Sequence, residues 1–136
     1  MSRPGALDPP AALLHPSMTR LFIYGTLKRG GSNHAHLAGQ KFLGEARTAP
    51  GYTLYSLGRY PGMVAQATDR KGVIGEIWAV DETALLRLDA FEGVPDGLYR
   101  REAVPLLPPH AGVRVEAYIH VRSHEGGRHL GSLWPE

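Results

Sequence analysis

Residues 21–32 read LFIYGTLKRGGS, and the fold reading starts from them. Leu21-Phe22-Ile23-Tyr24 is a short continuous apolar run that stops at Gly25, the pattern of a buried strand. Glycines follow at Gly25, Gly30 and Gly31, and Ser32 stands where a helix could begin. A strand, a glycine-bearing turn and a helix start expose a set of backbone N–H groups. Such a nest binds an anion, either phosphate or carboxylate. The spacing Gly25-x4-Gly30 with Ser32 approaches the phosphate loop G-x-x-x-x-G-K-[ST]. Gly31 takes the place of its lysine, however, and the helix that follows is too short, so nucleotide hydrolysis is not expected. A glycine-rich turn with no ligand remains the plain alternative.

Strand signals continue outward from this turn. Tyr52 to Leu57 alternates, and so does Val73 to Val80, with Val73, Gly75, Ile77 and Ala79 opposite Ile74, Glu76, Trp78 and Val80. Tyr99 to Leu107 reads as a strand closed by Pro108-Pro109. Val113 to Val121 reads as a late strand with one apolar side. Two short helices are predicted. Ser32 caps Asn33 to Ala38, which ends at Gly39. Asp81 caps Glu82 to about Phe91, with Leu85, Leu86 and Leu88 inside and Gly93 just past the end. Many strands with so few helices exclude a parallel βαβ fold and point to an α+β domain, a mixed sheet or small barrel.

The chain has 136 residues, enough for one domain. Residues 1–18 carry Pro4, Pro9, Pro10 and Pro16 and read as a flexible proline-rich tail, with the domain over 19–136. Met18 stands just before the first strand, so the tail is either a real appendage or precedes the natural start. Hydrophobic residues make up 43% and charged ones 21%, and there is no cysteine. That excludes thiolate chemistry and zinc–sulfur sites and fits a reducing compartment. With no signal-peptide core and no run of ~20 apolar residues, a cytoplasmic protein is expected, without membrane association. The pI is about 9.1, yet 15 Lys and Arg are interleaved with 13 Asp and Glu for a net charge of +2. No clustered basic face emerges, so no nucleic-acid partner is expected.

Two carboxylates compete for a chemical role. Glu92 follows the Asp81-capped helix, where the negative end of the helix dipole disfavours its ionised form. The reversal at Gly93 and Pro95 then points to a carboxyl held with a raised pKa. A solvated acid on a helix end is the bland alternative. Glu76 shares a strand face with Ile74 and Trp78, so burial could raise its pKa as well; otherwise it pairs with an arginine or stands on an outward face that mixes polar and apolar groups. From these features the two rank equal. His34, His36, His120, His124 and His129 match no metal-ligand spacing and read as surface histidines. No G-x-S-x-G elbow supports a serine nucleophile.

Taken in order, Tyr24-Gly25-Thr26-Leu27-Lys28-Arg29-Gly30, Gly58-Arg59-Tyr60-Pro61-Gly62, Gly75-Glu76-Ile77-Trp78, Leu88-Asp89-x-Phe91-Glu92-Gly93-x-Pro95, Tyr99-x-Arg101 and Ala117-Tyr118 resemble the gamma-glutamylcyclotransferase-like family. The nearest branch is the gamma-glutamylamine cyclotransferases. The resemblance runs from about residue 20 to 121. It implies a small mixed or antiparallel β-barrel with a few short helices and a substrate pocket at Tyr24, Gly25, Thr26 and Leu27. It also implies a catalytic carboxylate at Glu92, with Tyr99 and Tyr118 lining the pocket and Glu76 behind the site. The implied reaction converts a γ-glutamyl amide to 5-oxoproline and a free amine by attack of the α-amine on the γ-carbonyl, with Glu92 as general acid and base. It needs no metal and no cofactor; a small γ-glutamyl molecule is the expected partner, and the expected state is a monomer or weak homodimer. The alternative is a module that holds such a ligand without turnover. One departure is His120, where relatives commonly carry a second aromatic after Tyr118.

Overall fold

The structure, a computed structural model, describes residues 18–135. The expected tail therefore lies outside the described residues, apart from Met18. Among them are strands β1 (Thr19–Ile23), β2 (Lys41–Arg47), β3 (Tyr52–Ser56), β4 (Pro61–Ala65) and β5 (Ile74–Val80). The helix α1 (Glu82–Phe91) and strands β6 (Tyr99–Ala103), β7 (Glu116–His120) and β8 (Arg128–Gly131) complete the domain.

The strands form one mixed sheet in the order β2-β5-β1-β7-β4-β3-β8, with β6 paired to β7 off this path. β6 runs antiparallel along all of β7, from Tyr99 opposite His120 to Ala103 opposite Glu116. The other edge of β7 is shared. β1 meets it in parallel at Glu116 through Leu21, and β4 meets it in parallel at Ile119 through Met63. Two strands on one edge leave a split between them, and the split becomes the site described below. The sheet curls so that the Ile74 N–H donates to Ser132 O at 2.8 Å beyond β8. It is barrel-like rather than closed, since no ladder joins β2 to β8 among the described residues.

Both faces of the sheet are covered. Phe22, Leu54, Met63, Ile77, Ala117 and Ile119 pack together inside the curl. Leu21, Ile23, Trp78, Val80 and Tyr118 face the other way, against Ala84 and Leu88 of α1. Double coverage explains why β1 has no polar alternation: Leu21 and Ile23 serve one core, Phe22 and Tyr24 the other.

Local differences from the sequence reading have physical causes. The first helix is a single 3₁₀ stretch, His34–Leu37, preceded by Asn33 rather than capped by Ser32. The Asn33 side chain donates instead to Thr26 Oγ1 at 3.0 Å, tying the turn to the loop before it. The late strands are shorter than expected: after β6, the Val104 N–H donates to Val115 O, and Val113 closes a turn on His110. β2, β4 and β8 carry weak signals, because Gly44, Gly62 and Gly131 interrupt their apolar patterns. Leu86 is 71% exposed rather than inside. It sits two residues from both Ala84 and Leu88, on the opposite side of a helix with 3.6 residues per turn.

That helix register has a direct test. Leu88→Ala should lower the unfolding free energy by about 2–5 kcal/mol, whereas Leu86→Ala should change it by no more than about 0.5 kcal/mol. Urea denaturation of both variants checks this, and comparable losses would refute the register.

Candidate active site

Glu92 is placed by the way α1 begins and ends. Asp81 caps the helix, its Oδ1 accepting from the Ala84 N–H at 2.8 Å, and Leu88 anchors it to the sheet. Glu92 keeps helical backbone angles, and its N–H donates to Leu88 O at 2.9 Å. Gly93 then turns left-handed at φ 73°, and a Cβ there would meet Leu98 Cδ1 at 2.6 Å. Only glycine suits that angle and that contact. The Glu92 side chain is thereby fixed in the wall of a cavity of about 350 Å³.

Three other segments complete the wall. Phe22 to Leu27 supply the end of β1 and its loop, Arg59 to Pro61 supply the approach to β4, and Leu98 just before β6 joins Tyr99 of β6 and Tyr118 of β7. Thus Tyr24, Gly25, Thr26, Leu27, Tyr99 and Tyr118 all meet Glu92 around one space. Arg59, Tyr60 and Asn33 also line it and were not singled out as site residues; the Gly58–Gly62 motif was the signal for the first two.

The loop is braced from several sides. Lys28 N donates to Gly25 O at 3.1 Å and Asn33 N to Thr26 O at 2.9 Å, while His34 Nδ1 donates to Leu27 O at 2.9 Å. No described residue accepts from the N–H groups of Thr26 or Leu27. Gly25 packs so closely on Pro61 that a Cβ would meet its Cγ at 2.8 Å. Glu76 does not line the cavity. Its carboxylate accepts from Arg29 N at 3.1 Å, Arg29 Nε at 3.2 Å and the Trp78 indole at 3.0 Å. The pairing with an arginine is therefore the arrangement found, and it holds the far end of the loop.

Three tyrosines share the wall. Tyr24 donates to Tyr118 O at 2.6 Å and accepts from Met63 N at 3.3 Å. Tyr99 donates to Pro61 O at 2.9 Å, and Tyr118 donates to Asp89 Oδ1 at 2.7 Å. Burial foremost, with neighbouring acidic groups, pushes all three hydroxyls above their ordinary pKa, so they stay protonated. His120 packs its ring edge-on against Tyr99 at 5.2 Å, filling an aromatic place.

Asp89, one helical turn before Glu92, is heavily satisfied. Besides Tyr118 it accepts from Arg101 Nε at 2.9 Å and Nη2 at 3.1 Å, and Arg101 Nη1 also reaches Glu116. Glu92, by contrast, accepts no hydrogen bond from any described residue. Burial first and the Asp89 carboxylate second push its carboxyl up to about 7. An acid raised on folding costs stability once it ionises, so folding should weaken as pH rises from about 4.5 through 7. Glu92→Gln should therefore match the wild type at pH 4 and exceed it at pH 8, by at most about 3 kcal/mol. Denaturation at both pH values tests this, and an unchanged difference would refute the raised pKa.

Among the described residues no group of three or more His, Asp or Glu is placed to hold a metal ion, and no helix is long and apolar enough to cross a membrane. Comparison with known proteins adds the family. The family model described as "Gamma-glutamyl cyclotransferase, AIG2-like" matches residues 21–134. A Homo sapiens protein named gamma-glutamylaminecyclotransferase is 34% identical over 123 residues, covering 78% of this chain and 80% of its own. The Escherichia coli gamma-glutamylcyclotransferase family protein YtfP is 34% identical over 85 residues, covering 62% of this chain and 71% of its own. The crystal structure of an AIG2-like protein from Mus musculus superposes with a TM-score of 0.68 at 32% identity, over 79% of this chain and 81% of that one. With the family model spanning nearly all the described residues, the chain belongs to the AIG2-like gamma-glutamyl cyclotransferase family.

Proposed function

We propose that the chain is a cyclotransferase that converts a γ-glutamyl amide to 5-oxoproline and a free amine, with Glu92 as its one general acid and base. The observation that carries this reading is the state of Glu92: a carboxyl in a cavity wall with no hydrogen-bond partner among the described residues and a pKa near 7. A group poised there can accept a proton and return it at neutral pH.

The reaction joins two parts of one molecule, so most of the barrier is removed by folding the substrate into the attacking geometry. Ionised Glu92 takes a proton from the α-ammonium. The freed, neutral nitrogen adds to the γ-carbonyl carbon as the C=O π electrons move to the oxygen, which leaves a positive ring nitrogen and an oxyanion. The N–H groups of the Gly25–Leu27 loop hold the α-carboxylate or that oxygen. Glu92 then gives its proton to the amide nitrogen, the oxyanion re-forms the carbonyl as the C–N bond breaks, and the ionised Glu92 takes the second proton from the ring nitrogen as the amine leaves. The protonated tyrosines supply neutral walls that leave Glu92 the lone acid facing the substrate.

Glu92→Gln should retain binding and lose about 10²-fold or more in turnover, measured as 5-oxoproline released from a panel of γ-glutamyl amino acids and γ-glutamyl amines. A Gln variant with near-full activity would sink the assignment. Binding by the wild type without any release would favour the non-catalytic alternative. In the active case, kcat/KM should rise with pH through an apparent pKa near 7, as Glu92 ionises. Asp89→Asn removes the neighbouring charge and should move that limb to lower pH; a limb that stays in place would detach Asp89 from the titration.

A further inference from the structure

We propose that the mouth of this cavity binds the departing half of the substrate and selects an amine bearing both a large apolar side chain and a carboxylate. This rests on the cyclotransferase reading and names the substrate class within it. Tyr60, Phe91 and Leu98 are 45%, 42% and 36% exposed, and all three line the same cavity. Half of the large exposed hydrophobic residues of the described chain thus gather at one opening. Apolar side chains concentrated like this mark a surface made to be covered.

Charge narrows the occupant. Arg59 lines the mouth beside Tyr60, is exposed, and makes no hydrogen bond or ion pair with any described residue. It is the one cationic side chain among the lining residues, and Glu92 is the one acidic side chain. The γ-glutamyl group must put its α-amine at Glu92 and its carboxylate or carbonyl oxygen at the braced loop. The remainder of the substrate then points outward, past Tyr60 and Phe91 toward Arg59. A carboxylate there gains a charge-assisted hydrogen bond, while an ammonium meets like charge. An amine such as an aromatic or branched amino acid satisfies both features; a polyamine satisfies neither.

Three substrates separate the features: γ-glutamyl-phenylalanine, γ-glutamyl-phenethylamide, which lacks the carboxylate, and γ-glutamyl-glycine, which lacks the side chain. The wild type should favour the first over each of the others by about tenfold in kcat/KM. Arg59→Gln should abolish the preference over the phenethylamide while keeping the preference over glycine, and Arg59→Lys should restore part of it. Tyr60→Ala should shrink the preference over glycine. Equal wild-type rates on all three would overturn the proposal. So would an Arg59→Gln variant that loses the same factor on every substrate, because the guanidinium would then hold the carboxylate that all three share. A wild type silent on all three but active on another γ-glutamyl amide overturns this proposal alone, and silence across the whole γ-glutamyl panel overturns the cyclotransferase reading with it.

Discussion

One hydroxyl carries the split in the sheet. β1 and β4 share an edge of β7, and between their two contacts the ladder is open. The Tyr24 hydroxyl closes it, donating to Tyr118 O on β7 and accepting from Met63 N on β4. A backbone carbonyl and a backbone N–H that a regular ladder would join directly are joined through a side chain. Left unpaired, each buried group would cost about 1–3 kcal/mol. The cavity exists because the strands diverge, and it persists because their orphaned groups are satisfied. Tyr99 repeats the device from the other side by donating to Pro61 O. The aromatic rings that form the wall are therefore also its fasteners.

Against this satisfied frame, Glu92 stands out as a group the fold works against. It sits at the negative end of α1, one turn from Asp89, in a wall otherwise apolar or neutral except for Arg59 at the mouth. Asp89 is relieved by Arg101 and Tyr118; Glu92 receives no such relief. Groups held at a cost to stability mark sites where function prevails over folding. Glu76 shows the contrast. It has the same charge and is more deeply buried, but Arg29 and Trp78 give its carboxylate three hydrogen bonds. It ties the loop together.

The architecture was legible where burial leaves a strong local pattern. β1 and β5 announce themselves through apolar residues, and α1 through Asp81, Leu88 and Gly93. The strands β2, β4 and β8 were not legible, since glycines and a leading Pro61 break their periodicity while pairing with neighbours far along the chain holds them straight. The sequence reading puts Leu85, Leu86 and Leu88 inside together, and Leu86 is the one the structure exposes. The helix can bury only the face that Leu88 and Ala84 define.

By itself the sequence determined the α+β class, the loop that follows β1, the helix that ends at an acid, and the two carboxylates worth comparing. Those features are local: propensity, capping and alternation act over a few residues. Which carboxylate faces the cavity was decided only by tertiary structure. Arg29 reaches Glu76 across 47 positions and Tyr118 reaches Asp89 across 29, and no short-range pattern records such partners. The environment of an ionisable group is set by what long-range packing brings to it or withholds. Here it brought donors to Glu76 and left Glu92 without any among the described residues.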